Sequence, residues 1–139
     1  MTKIKLEMDY DYDFDLIGIS CHAPDYRLCW ALNQKLGISL GKKEEGLVLR
    51  NKKSGEDASH AIFEYFGEED HVEYFLLLNK TGASYLVPEQ KAADFLFILR
   101  NNYAIDASEI LQQIKTIDLV QTAFRIDAEN LKSRENLLF

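Results

Sequence analysis

A chain of 139 residues suffices for one domain and can bury about two-thirds of the surface its unfolded form exposes. Hydrophobic residues make up 47% and charged residues 28%, which excludes a disordered or collagen-like chain. The net charge of −7 repels phosphate backbones, and the densest basic stretch, Lys42, Lys43, Arg50, Lys52 and Lys53, is broken by Glu44 and Glu45, arguing against direct nucleic-acid binding.

No apolar run approaches the roughly 18 residues of a membrane helix. The N-terminus carries an acidic alternation where a secretory signal would have an apolar block. A cytoplasmic location is therefore expected, with Cys21 and Cys29 as thiols.

From Lys3 to Leu16 the chain never breaks step. Ile4, Leu6, Met8, Tyr10, Tyr12, Phe14 and Leu16 alternate with Lys3, Lys5, Glu7, Asp9, Asp11, Asp13 and Asp15. Period two predicts a strand. Fully extended, it would run about 43 Å, longer than the roughly 37 Å a globule of this size offers, so a bend or split is expected near Asp9–Asp13.

The row of aspartates on this strand invites a metal reading. Neighbouring carboxylates about 7 Å apart repel by only about 0.6 kcal/mol per pair in water. Burying the apolar flank contributes on the order of 10–20 kcal/mol gross. The row therefore needs no cation to exist. The calcium-loop pattern also fails, with Phe14 where its glycine belongs and Ser20 where its glutamate belongs. A solvated face is expected, and no metal.

In "HAPDYRLCWALNQKLG", Pro24 suits a helix start, Asp25 the first turn and Gly37 the end. Leu28, Leu32 and Leu36 recur every four residues and, with Cys29, make one buried face. Residues 40–57 are turn-rich, with a short strand at Leu47–Arg50. "SHAIFEYF" and "VEYFLLLN" predict an antiparallel hairpin around Gly67–Asp70. The second arm is apolar on both faces from Phe75 to Leu78, as in a central strand. "ASYLV" predicts a further strand after a turn at Thr81-Gly82.

"PEQKAADFLFILRN" predicts a second helix, with Pro88 at its start and Ala92, Phe95, Leu96 and Leu99 at helical spacing. A third helix has a marked beginning. Asp106 and Glu109 form a capping-box pattern, Ile105 and Ile110 a hydrophobic staple, and Ala107, Ile110, Leu111 and Ile114 the buried face. Val120, Phe124 and Ile126 then mark a last strand. The expectation is a single α+β domain over residues 1–139, a mainly antiparallel sheet of about five or six strands with about three helices packed on one face.

Several strings imitate catalytic motifs without completing them. "GISLGKK" lacks one spacer residue and the Ser or Thr of a phosphate-binding loop. "SLGK" and "KTG" match two elements of the penicillin-recognising enzymes, but the third is missing. Cys21-His22 with Cys29 supplies only three ligands for a zinc site. His60 and His71 flank the hairpin and are expected at the surface. No convergent ionisable set is legible, so no catalytic residue, cofactor or metal is assigned.

Val87-Pro88-Glu89, three residues, then Ala93-Asp94-Phe95 resembles the signature of the IPExxxVDY family of small bacterial proteins, named for its motif and of unestablished function. Pro88, Glu89 and Asp94 match it, while Val87, Ala93 and Phe95 replace Ile, Val and Tyr. "DFDLIGIS", "YRLCWALN" and "LKSRENLLF" are similar to the family as well. The motif makes physical sense as structure: Pro88 sets the backbone, Glu89 sits against the positive helix end, Phe95 packs inward and Lys91 pairs with Asp94.

The functional expectation is a non-catalytic interaction or adaptor domain that binds another protein or a second copy of itself, with neither direct nucleic-acid nor membrane binding. Tyr26, Trp30 and the terminal Leu137, Leu138 and Phe139 form the candidate surface, because large apolar groups anchor interfaces. The alternative is a small-molecule binder or enzyme whose site is assembled from residues distant in sequence.

Overall fold

The computed structural model describes residues 14–50 and 55–139. Most of the opening alternation, with Asp9, Asp11 and Asp13, lies outside these residues, as do Lys52 and Lys53. What is described of that alternation begins strand β1, Phe14–Ser20.

Five further strands join β1 in an antiparallel sheet: β2 (Gly41–Lys42), β5 (Ile62–Phe66), β6 (Glu73–Leu78), β9 (Phe95–Arg100) and β10 (Thr122–Ile126). Their spatial order is β10-β1-β9-β6-β5-β2. Two small hairpins stand apart, β3 (Leu47–Arg50) with β4 (Asp57–His60), and β7 (Lys80–Thr81) with β8 (Ser84–Tyr85). Helix α1 spans Asp25–Leu36 and α2 spans Ala107–Lys115. The α+β class with a mainly antiparallel sheet of six strands is thus observed, with two α-helices among the described residues where three are expected.

The missing helix is the segment after Pro88. Pro88–Gln90 forms a single 3-10 turn, Lys91 and Ala92 continue as an ordinary turn, and Phe95–Arg100 is the strand β9 between β1 and β6. Phe95, Phe97 and Leu99 join the core beneath the helices, while Leu96 and Ile98 join the core on the opposite face. An unbroken apolar run satisfies a helical period as well as a strand period. Burial on both faces, which only the neighbouring elements can supply, selects the strand.

The sheet therefore has two cores. On one side, Ile17, Ile19, Leu76 and Phe97 meet Leu28 and Leu32 of α1 and Ile110 and Ile114 of α2. On the other, Leu16, Phe75, Leu77 and Ile98 lie under Leu86, Val87, Ala93, Leu131 and Leu137. Both helices thus pack on one face, as expected, and turns with the C-terminal segment close the second.

Local signals explain the ends of the elements. Gly37 closes α1 in the left-handed conformation at φ 67°, its N–H donating to the Asn33 carbonyl. The Asp106 carboxylate caps α2 by accepting from the Ser108 N–H at 2.9 Å. "SHAIFEYF" splits at Ala61, so that β4 serves a hairpin and β5 the main sheet. Of "ASYLV", Ser84 and Tyr85 alone are strand, and Leu86 and Val87 are core.

Candidate functional site

The family-like motif folds around one buried side chain that it does not contain. Asn79, 0% exposed, follows β6 directly. Its Oδ1 accepts from the Val87 N–H at 2.8 Å. Its Nδ2 donates to the Gln90 carbonyl at 3.1 Å and the Ala93 carbonyl at 2.8 Å. Its backbone N–H donates to Asp94, and its carbonyl accepts from Leu86. One side chain thus supplements the turn's own bonds, which run from the Gln90 N–H to the Val87 carbonyl and from the Ala93 N–H to the Gln90 carbonyl.

The charged members of the motif point to different places. The Glu89 carboxylate accepts from the Ser133 hydroxyl at 2.7 Å and the Ser133 N–H at 2.9 Å, tying the turn to the C-terminal segment. Partial removal from water favours the neutral acid, but these bonds outweigh it and hold the Glu89 carboxyl below its ordinary range. Asp94 Oδ2 accepts from the Cys21 N–H at 2.9 Å, at the end of β1. This replaces the expected pairing with Lys91, whose ammonium lies 5.9 Å from the centre of the Tyr85 ring. Val87 and Ala93 are buried in the second core, and Phe95 begins β9 in the first. Glu89 and Asp94 do not converge, because each is consumed by a separate backbone tie.

His60 corrects a second expectation, for it is 0% exposed. Its Nδ1 lies 2.8 Å from the Leu78 carbonyl and its Nε2 lies 2.9 Å from the Ser84 hydroxyl. A carbonyl only accepts, so Nδ1 carries the proton and Nε2 accepts from Ser84. Burial pushes its pKa below the ordinary histidine value, against the Leu78 bond. His71 is exposed, at the hairpin corner.

Asp15, the described member of the acidic row, is not a bare solvated carboxylate. It accepts from Asn102 Nδ2 at 2.9 Å and forms an ion pair with Arg125 at 3.1 Å. Cys21 and Cys29 are free and buried, and burial foremost raises both thiols above their usual pKa, which leaves little thiolate for nucleophilic work. Among the described residues no three His, Cys, Asp or Glu side chains are grouped to hold a metal, and no helix is long and apolar enough to cross a membrane.

Of the candidate surface residues, Tyr26 and Trp30 are 67% and 65% exposed, one turn apart on α1. Leu137 is 2% exposed and belongs to the second core, so it is a packing residue. Phe139 is pinned nearby. Its ring meets Phe75 edge-on at 4.9 Å, and the Arg100 guanidinium lies 4.6 Å from Phe75 and 5.1 Å from Phe139. Leu138 is exposed beside it. The C-terminal residues thus gather over one face of the sheet, and the α1 aromatics over the other.

Tyr26 and Trp30 line an open groove of about 1040 Å³ between α1 and the turn after α2. Its opposite wall runs from Thr116 to Leu119, and Arg27, Ala31, Gln34 and Lys35 complete the α1 side. These walls escape a sequence reading because residues 31 and 117 become neighbours only when both helices settle on the sheet. The legible signal was the pair of aromatics at a four-residue interval, on the side of α1 away from its leucines. No protein-family model and no curated protein matches the chain.

Proposed function

We propose that this protein is a non-catalytic, cytoplasmic interaction domain that binds another protein through the outer face of α1. The observation carrying the proposal is the exposed Tyr26–Trp30 pair over the groove. Large aromatics left in water lose the burial that usually stabilises them, and such residues are the commonest anchors of protein interfaces. The arrangement of the ionisable groups supports the same reading. Glu89, Asp94, Asp15 and His60 are each held by structural bonds, and among the described residues no acid, base and nucleophile stand together. The resemblance to the IPExxxVDY family is part of this proposal, with its motif as scaffold.

The test compares the wild-type chain with a Tyr26→Ala/Trp30→Ala double variant in affinity capture from cells, with matched melting curves. The expected result is a partner recovered by the first and lost by the second. Identical recovery by both would sink the proposal. A groove of about 1040 Å³ also reaches the size of small-molecule sites, which favours the second reading, a metabolite binder. Reproducible thermal stabilisation by a metabolite, abolished in the double variant, would select it.

A further inference from the structure

We infer, resting on the interaction reading above, that the groove beside α1 takes an acidic segment of a partner protein, carrying an aromatic or leucine anchor. The outer face of α1 presents two adjacent rows, Tyr26–Trp30–Gln34 and Arg27–Ala31–Lys35, each stepping by four residues. Residues four apart on a helix stand one above the other. With Ile117, Asp118 and Leu119 on the opposite wall, the middle of the α1 wall is apolar, at Trp30 and Ala31. Its two ends are cationic. Arg27 and Lys35 are separated by eight residues, or about 12 Å along the axis at about 1.5 Å per residue.

Both cations are exposed, and neither forms an ion pair among the described residues. Their neighbour Asp25 is already engaged by Lys42 at 3.9 Å. Among the described residues, Asp118 is the single carboxylate lining the groove. In a chain of net charge −7, this lining reverses the local sign. An apolar floor between two positive ends is complementary to an apolar side chain flanked by carboxylates.

Other occupants fit less well. In a two-fold contact between copies, both contribute the same patch, so four groove cations would share one interface with two carboxylates. The net charges of the two copies would add to that repulsion. A nucleic acid would find two cations on the groove, too few to offset repulsion by the rest of the chain.

A random peptide library displayed on phage, selected on the intact chain and counter-selected on the Trp30→Ala variant, tests the inference. The expected binders carry Asp or Glu on both sides of a Phe, Trp or Leu and weaken several-fold as salt is raised. A double reversal, Arg27→Glu/Lys35→Glu, should weaken them about tenfold or more, because unlike charges become like. Selection on that double variant should return Lys- and Arg-rich sequences instead. Trp30-dependent binders without acidic enrichment, or none at all, would overturn the inference. So would a Trp30-dependent dimer by sedimentation, or Trp30-dependent binding of oligouridylate. Failure of this inference separates from failure of the underlying reading. A cellular partner lost with Tyr26→Ala/Trp30→Ala but retained by the charge reversal defeats the acidic segment alone, and a partner retained by both variants defeats the two together.

Discussion

The side-chain oxygen of Asn79 accepts a hydrogen bond from the Val87 N–H at 2.8 Å, eight residues along the chain. With its two donations to Gln90 and Ala93, this amide closes the Pro88 turn and presents Asp94 to the end of β1. Asn79→Leu removes the donors and acceptor together and leaves buried backbone groups unpaired. At about 1–3 kcal/mol per stranded group, the expected loss is about 3–5 kcal/mol. Denaturant titration should show a lowered midpoint with an unchanged slope. A loss under about 1 kcal/mol would mean that the turn holds itself.

The buried His60 makes stability depend on pH in a definite direction. Its folded pKa lies below the ordinary value near 6.5. Above that value both states are neutral there, and the contribution is fully present. As pH falls below about 6.5, the unfolded chain takes the proton first and stability declines, until the folded-state pKa is passed. Chemical denaturation at a series of pH values should show this decline, and His60→Gln should flatten it whatever its effect on absolute stability. An unchanged slope in that variant would place the titration elsewhere.

Glu89 acts in a more acidic window. Its folded pKa is depressed below 4.5, so its contribution is present above that value and disappears as pH falls through the folded pKa. Glu89→Gln should cost about 1 kcal/mol or less at neutral pH, because the Ser133 bonds lie in an exposed setting. Hydrogen exchange of the Ser133 amide should accelerate in this variant while β9 stays protected. Equal acceleration in both would show that the tie supports the whole fold.

Two glycines differ in what a methyl group would meet. At Gly18 an added Cβ comes within 2.8 Å of the far edge of the Phe124 ring, a side chain that can swing. At Gly46 it would collide with the backbone carbonyl of His60, which is held by strand pairing with Leu47. Gly46→Ala should therefore cost more, about 2–3 kcal/mol against about 1 kcal/mol for Gly18→Ala. Phe124→Leu should partly rescue Gly18→Ala. Equal melting-temperature losses for the two single variants would contradict the distinction.

Much of the architecture is legible in residue order because it rests on local physics. The four-residue rhythm of Leu28, Leu32 and Leu36 defines α1, Gly37 ends it, Asp106 starts α2, and the Gly67–Asp70 corner makes the hairpin of β5 and β6. Each is decided by side-chain period or by the conformational preference of a few neighbouring residues. The exposure of Tyr26 and Trp30 follows from the same rhythm, since they lie off the leucine face.

What tertiary structure alone decided concerns groups whose partners are remote. Phe95–Arg100 is a strand because β1 and β6 flank it and a core covers each face. His60 is buried because Leu78 and Ser84 converge on its ring, and Asp15 is paired because Arg125 arrives 110 residues later. The groove exists because the turn after α2 is laid beside α1. Periodicity reports which side of an element avoids water; it carries no information about which distant surface, donor or charge comes to meet that side.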